Sequence, residues 1–165
     1  MNTVQVPTGG DNETDGERRR CREQWQVLLR EGVTLAALQA FHARYKYLVM
    51  SRDIQAYRAL GALLATADSR AVDTVAPRLF EGIMQALRRP ATRGGNANAL
   101  LHIGGYFKRQ LLPEDKYQLL DTVERYRCGE VGFDEPLALL HEYLCWFPNA
   151  YIEQQWFLQP PPALL

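Results

Sequence analysis

A chain of 165 residues is long enough to bury a proper core and short enough for one domain. Its 47% apolar content and mean hydropathy of -0.30 are ordinary for a protein in water; no apolar run approaches the ~20 residues that cross a bilayer, and the first residues hold no apolar signal core, so membrane spans are excluded and a cytoplasmic protein is expected. The net charge of zero hides an asymmetry: residues 18–109 carry 16 Lys+Arg against 6 Asp+Glu, residues 110–165 carry 3 against 9, and residues 1–17 hold 4 acids and no base.

Residues 1–16, MNTVQVPTGGDNETDG, have the polar, acidic composition of a disordered tail. A helix is expected over Glu17–Glu31, with Cys21, Trp25 and Leu28 or Leu29 on one face and Gly32 ending it. Its RRRCR start is unusual, because cations sit poorly at a helix N-terminus. Either the helix begins later or those arginines have an external partner. Thr34 is placed to cap a second helix, Leu35 to about Met50, whose inner face is Leu38, Phe41, Tyr45 and Leu48. Asp53 caps a third, Ile54 to about Thr66, with Ile54, Tyr57, Leu60 or Gly61 and Leu64 inward. Asp68 or Asp73 opens a fourth that holds Val75, Leu79, Ile83 and Leu87, with Pro77 in its first turn.

The fifth helix follows a basic, Pro- and Gly-broken turn in RRPATRGGNANALLHIGGYFKR, Arg88–Arg109. Gly94 and Gly95 allow unusual backbone angles, and Asn96 is the expected N-cap. Leu100, Ile103, Phe107 and Leu111 then follow the spacing of a buried face. Pro113 starts a sixth helix with Tyr117, Leu120, Val123 or Glu124 and Arg127 periodic, and Gly129 stops it. Asp134 and Glu135 are placed to cap a seventh, with Leu137, Leu140, Leu144 and Phe147 inward and Pro148 closing it. Asn149 caps a short eighth that ends before Pro160, and QPPPALL is extended. No segment alternates with period two between hairpin turns. The fold class is therefore all-α: a single irregular bundle of seven or eight helices over residues 17–160, with 161–165 as an extended tail.

The Arg88–Arg109 segment also carries the main functional signal. Arg88, Arg89 and Arg93 flank a helix N-terminus, whose free amides favour an anion. Asn98, His102 and Tyr106 form a polar stripe at i, i+4 and i+8, and Lys108 and Arg109 add charge beyond it. Such a stripe serves equally as a solvated or internally bonded face. The second helix holds FHARYKY, in which His42 and Lys46 share a side and Arg44 points elsewhere. In these two runs basic residues interleave with aromatics, the pattern of phosphate contacts beside stacked bases. Periodicity puts Tyr45 and Phe107 in the core and leaves Tyr47 and Tyr106 to face out. The basic stretch suits a polyanion, unless the acidic half folds against it and cancels its field.

Other chemistry is sparse. No P-loop, dinucleotide fingerprint, zinc-protease or nucleophile-elbow motif is present. Cys21, Cys128 and Cys145 are scattered, which suits small apolar residues rather than a disulfide framework or metal site. No metal or cofactor is expected. His42 and His102 are the candidates for acid–base chemistry if they meet; His141 sits among leucines and reads as structural.

FHARYKYLVMS, YRALG, RPATRGGNANALLHIGGYFKRQL, YRCGE and PLALLHEYL, in that order from about Gly32 to about Pro160, resemble the YbgA-like family, a bacterial helical domain catalogued as of unknown function. In other members the domain follows a cysteine-bearing domain similar to thiouracil desulfidases, and those fused proteins are associated with removing sulfur from 4-thiouridine in tRNA. The resemblance implies RNA, above all tRNA, as the ligand, with a separate desulfidase-type protein as a further partner. The family pattern falls on His42, Arg44, Lys46, Tyr57, Arg58, Arg93, Asn98, His102, Gly105, Tyr106 and Lys108; with Arg89, Asn96 and Arg109 these complete the candidate contact set. Members usually carry His where this chain has Asn96, and many carry Pro at Gly132. The expectation is an RNA-binding module in tRNA thiouridine metabolism. The alternatives are an enzyme acting on a nucleotide-like substrate through His42 or His102, and a protein that docks a desulfidase or DNA-repair enzyme.

Overall fold

Local sequence signals set most of the helix ends. In the computed structural model, which describes residues 10–159 and side chains from residue 15 onward, eight α-helices and two 3-10 turns form and no strand does. They are α1 (Gly10–Glu31), α2 (Leu35–Arg52), α3 (Ile54–Ala65), α4 (Val72–Leu87), α5 (Arg93–Gly104), α6 (Pro113–Arg127), α7 (Asp134–Trp146) and α8 (Ala150–Glu153), with 3-10 turns at Gly105–Phe107 and Trp156–Leu158. Thr34 accepts from the Ala37 amide at 3.1 Å, Asp53 from those of Gln55 and Ala56 at 3.0 Å each, and Asn149 from that of Ile152 at 3.1 Å. Gly32 and Gly129, at φ +110 and +83, end α1 and α6 in the left-handed region that glycine adopts without strain.

Several boundaries differ from expectation. α1 starts at Gly10, so residues 10–16 are helical; residues 1–9 and 160–165, and with them the tails expected there, lie outside the described residues. The RRRCR run is thus well inside α1, where the unfavourable end of the dipole does not apply. α4 has Ala71 at its N-cap with no side-chain cap, while Asp68 serves the preceding turn by accepting from the Arg70 amide at 2.8 Å. Pro77 consequently lies beyond the first turn, inside α4. Asp134 and Glu135 occupy the first turn of α7 after Phe133 and cap nothing; their charge suits the dipole there.

The core is organised around α2, which packs against α3, α4, α5 and the C-terminal 3-10 turn. Tyr45 and every residue from Tyr47 to Ser51 are buried, so the second half of α2 is enclosed on all sides. For this reason Tyr47, expected outside, is inside: a one-face period fails on a central helix. The inner face of α6 is Leu119, Thr122, Val123 and Tyr126 rather than the Tyr117–Leu120–Arg127 row. α5 sets that rotation, because Gly104 leaves room only for the Leu119 side chain. Tyr117 and Leu120 face solvent instead.

Two contacts fix α1, α2 and α5 together. Glu17 and Arg52 form an ion pair whose side chains are 3% and 4% exposed, and Ser51 donates its hydroxyl to the Leu48 carbonyl at 2.7 Å. At Gly95 a Cβ would collide with the Ser51 carbonyl oxygen, whereas at Gly94 it would meet nothing within 4 Å. Gly95→Ala is therefore expected to destabilise by about 3 kcal/mol or more, because the clashing partner is backbone. Gly94→Ala should be neutral or stabilising by up to about 1 kcal/mol through helix propensity. Urea unfolding midpoints measure both; equal midpoints for the two variants would refute the close α2–α5 approach.

Candidate functional site

The first turn of α5 is closed from within. Thr92, not Asn96, is the N-cap and accepts from the Gly95 amide at 2.9 Å; the Asn96 amide reaches the Thr92 carbonyl at 2.8 Å. Gly94 and Gly95 are helical rather than parts of a turn, and the Asn96 side chain donates to the Tyr126 hydroxyl at 2.9 Å. Arg93 donates from Nη1 to the Tyr126 carbonyl at 2.9 Å, with its guanidinium 5.2 Å from the Tyr126 ring centre. It is a second donor to a carbonyl at the end of α6 that also accepts from the Gly129 amide at 3.0 Å. Arg89 pairs with Asp53 at 3.2 Å. Of the three arginines expected to hold an anion, only Arg88 is exposed without such a partner.

A different cluster forms further along. Lys46 of α2 places its ammonium 4.9 Å from the centres of both the Tyr47 and Tyr151 rings. Tyr151, from α8, stacks with Tyr106 at 5.7 Å and 30°. Burial first, and the neighbouring Tyr106 hydroxyl second, push the Tyr47 hydroxyl well above its ordinary pKa. Tyr106 and Tyr151 are 43% and 36% exposed, so the outward side of this pair faces solvent beside a cation. Lys108 and Arg109 follow in the same turn and, with Arg58 on α3, are exposed and in no ion pair among the described residues. Asn98 is half-buried and His102 exposed on α5, in the stripe that ends at Tyr106.

The structure thus joins Lys46 to Tyr106 but sends Arg44 elsewhere. Its guanidinium lies against Trp156, 4.1 Å from the ring centre, and Nε donates to the Gln154 carbonyl at 3.4 Å. Tyr151 had no local signal beyond an aromatic in a four-residue, Asn-capped helix; only the path of the chain after Pro148 brings it over Lys46.

His42 is half-buried, with Nε2 enclosed and unpartnered. Desolvation, then the nearby Lys46 charge, lowers its pKa to about 4. It is a neutral imidazole at pH 7, and no hydrogen bond links it to His102, so the pair does not form an acid–base dyad. His141 donates from Nε2 to the Leu158 carbonyl at 3.0 Å, the only role open to a nitrogen facing a carbonyl. It lines a 500 Å³ cleft with Cys145 and Glu153. Cys145 and Cys128 are exposed, unlike the apolar role expected of them; Cys21 is buried and its thiol is pushed up to about 12 by that burial. No three His, Cys, Asp or Glu side chains among the described residues are placed to hold a metal.

Each ion pair among the described residues lies either within residues 15–89 or within residues 124–130, and none joins the basic stretch to the acidic half. No helix among the described residues is long and apolar enough to cross a membrane.

The family described as "Protein of unknown function (DUF1722)" matches residues 46–162. "Uncharacterized protein YbgA" of Escherichia coli (strain K12) is 27% identical over 139 residues, which cover 84% of this chain and 82% of that protein. No solved structure matches.

Two outcomes follow from these contacts. Arg93→Ala should lower stability by about 1 kcal/mol, a charged hydrogen bond discounted for exposure, as read by urea unfolding; an unchanged midpoint would return Arg93 to the ligand-binding set. For His42, the unfolded state takes up its proton near pH 6.5 and the folded state only near 4. Its contribution to stability is complete above pH 6.5 and is lost as pH falls toward 4, at up to about 1.4 kcal/mol per unit. An imidazole NMR titration with a His42 midpoint near 6.5 would contradict its burial.

Proposed function

Because the chain belongs to the YbgA-like family of unknown function (DUF1722), we propose from its own geometry that it is an RNA-binding module. The observation that carries this is the exposed Tyr106–Tyr151 stack under Lys46, followed in the same turn by the cations Lys108 and Arg109, which take part in no ion pair among the described residues. An exposed tyrosine face offers a stacking surface to an unpaired base, and flexible cations beside it neutralise phosphates. The basic stretch keeps its field because no ion pair ties it to the acidic half. His102 and Asn98 extend the same stripe along α5 with groups able to read base edges. The resemblance to domains fused with thiouracil-desulfidase-like proteins points to tRNA as the RNA, and to a cytoplasmic role beside a separate desulfidase-type protein.

A second reading, a docking module for such a protein, rests on α6. There Leu112, Tyr117 and Leu120 are exposed in the acidic half, beside Glu114, Asp115 and Asp121 in sequence. It supports a protein partner whose contacting surface is basic and apolar.

Fluorescence polarisation with unmodified tRNA and with a single-stranded oligoribonucleotide tests the first reading. Tyr106→Ala should weaken binding by about 5- to 100-fold, the loss of one stacked base. Lys108→Ala should weaken it less and flatten the log K against log salt slope by about 0.7. Absence of binding at low salt, or affinity and slope unchanged in both variants, would overturn the proposal.

A further inference from the structure

Arg20 of α1 and Arg44 of α2 converge on one indole. Their guanidinium carbons lie 4.2 and 4.1 Å from the Trp156 ring centre. Neither takes part in an ion pair among the described residues. Arg20 Nη1 donates to the Gln159 carbonyl at 2.6 Å and Arg44 Nε to that of Gln154 at 3.4 Å. Cations prefer an anionic oxygen to a carbonyl or a ring face when one is within reach.

Apart from the Glu17 carboxylate, which is paired with Arg52 and whose charge also acts on Arg20, the surrounding groups are mostly donors. Arg20 Nε and Nη2 and Trp156 Nε1 are enclosed and have no acceptor. The hydroxyl of Tyr45, a residue with no exposed surface, also has none; its neighbour is the Cys21 thiol, a poor acceptor. Tyr45 lies 6.3 Å from Trp156, ring to ring. Gln155 Oε1 is an unpartnered acceptor nearby. Enclosed donors without acceptors are costly, and four of them, two on Arg20 itself, beside the Arg44 cation make a donor set that an oxyanion satisfies.

An open groove of about 220 Å³ lies between α1 and α2 and has Arg44 in its lining. Beside it Trp25 of α1 stacks on Phe80 of α4 at 4.8 Å and meets Phe41 of α2 edge-on at 5.1 Å, so aromatic contacts hold α1 against both helices. Val27, Leu28, Ala40 and Phe41 give the groove an apolar lining. Arg44 stands at one end and Glu31 at the other, near the α1–α2 connection. Gln24 lines the Arg44 end, and Arg20 is one helical turn beyond it on the same side of α1. From Ala37 to Arg44 the helix rises about 10 Å, the length of one ring or short chain with a head group.

We propose that this groove is a second ligand site, for a small amphipathic oxyanion: a phosphate or carboxylate on one aromatic ring or short acyl chain. The apolar body lies along Val27, Leu28 and Ala40. The head takes Arg44 and Arg20 from the indole, and Glu31 rejects ligands with an anion at both ends. The site is independent of the tyrosine stack. Arg44 and Lys46 are two residues apart on α2 and so point to different sides.

Tryptophan fluorescence and titration calorimetry of the full chain test this, with phenyl phosphate, benzoate and neutral benzyl alcohol as probes. Saturable binding of phenyl phosphate, benzoate or both, at least about tenfold tighter than benzyl alcohol, is the expected result. The stronger of the two anions identifies the head group. Arg44→Gln should weaken that binding at least about tenfold. Ala40→Leu, which fills the groove from an exposed position and spares the cations, should do the same. Tyr106→Ala should leave it unchanged, so failure of the RNA reading and failure of this one are distinguishable. The proposal is overturned if neither anion saturates by about 10 mM, or if binding survives both Arg44→Gln and Ala40→Leu.

Discussion

The architecture depends on how closely α5 approaches α2. Gly95 brings the first turn of α5 against the Ser51 carbonyl, at the last turn of α2, where any side chain would collide. The next residues along α2 and α1, Arg52 and Glu17, bury an ion pair at the same junction. Breaking such a pair from one side leaves a charge without water, so the junction is intolerant of change. Packing the positive end of one helix dipole beside the carbonyls of another also fills the anion site that α5 would otherwise offer. The basic turn before α5 is thereby structural: Thr92 caps it, Asp53 pairs with Arg89 and the end of α6 receives Arg93.

The cations of α2 do a related job. Lys46 lies over Tyr151 and Arg44 over Trp156, so α8 and the following 3-10 turn are fastened across α2 by ring faces. A cation on an aromatic face keeps most of its charge available, because the ring quadrupole is a weak counterion. A carboxylate partner would have cancelled it. The same residues therefore serve the fold and remain electrostatically open, and among the described residues no ion pair joins the basic and acidic halves.

His42 shows the limit of inferring chemistry from residue type. It shares a side of α2 with Lys46, as its spacing requires, but desolvation and that same lysine keep it neutral. A proton shuttle near pH 7 needs the opposite environment. Lys46 therefore contributes charge toward solvent and suppresses it at the adjacent imidazole.

The sequence by itself determined the all-α class, a count of seven or eight helices, and the ends marked by Thr34, Asp53, Asn149, Gly32 and Gly129, because caps and left-handed glycines act within a few residues. It also determined the buried row Leu100, Ile103, Phe107 and Leu111 and the exposure of Tyr106. Tertiary structure decided the rest. Tyr47 is buried because α2 is enclosed on all sides, which no single-face period reports. The rotation of α6 is set by the small Gly104 facing Leu119, and the cap at α5 shifts to Thr92 because Gly95 must meet Ser51. The contacts of Lys46 with Tyr151 and of Arg20 with Trp156 join residues more than a hundred positions apart. Helix periodicity states which side of its own axis a residue occupies, but only packing decides which distant side chain it faces.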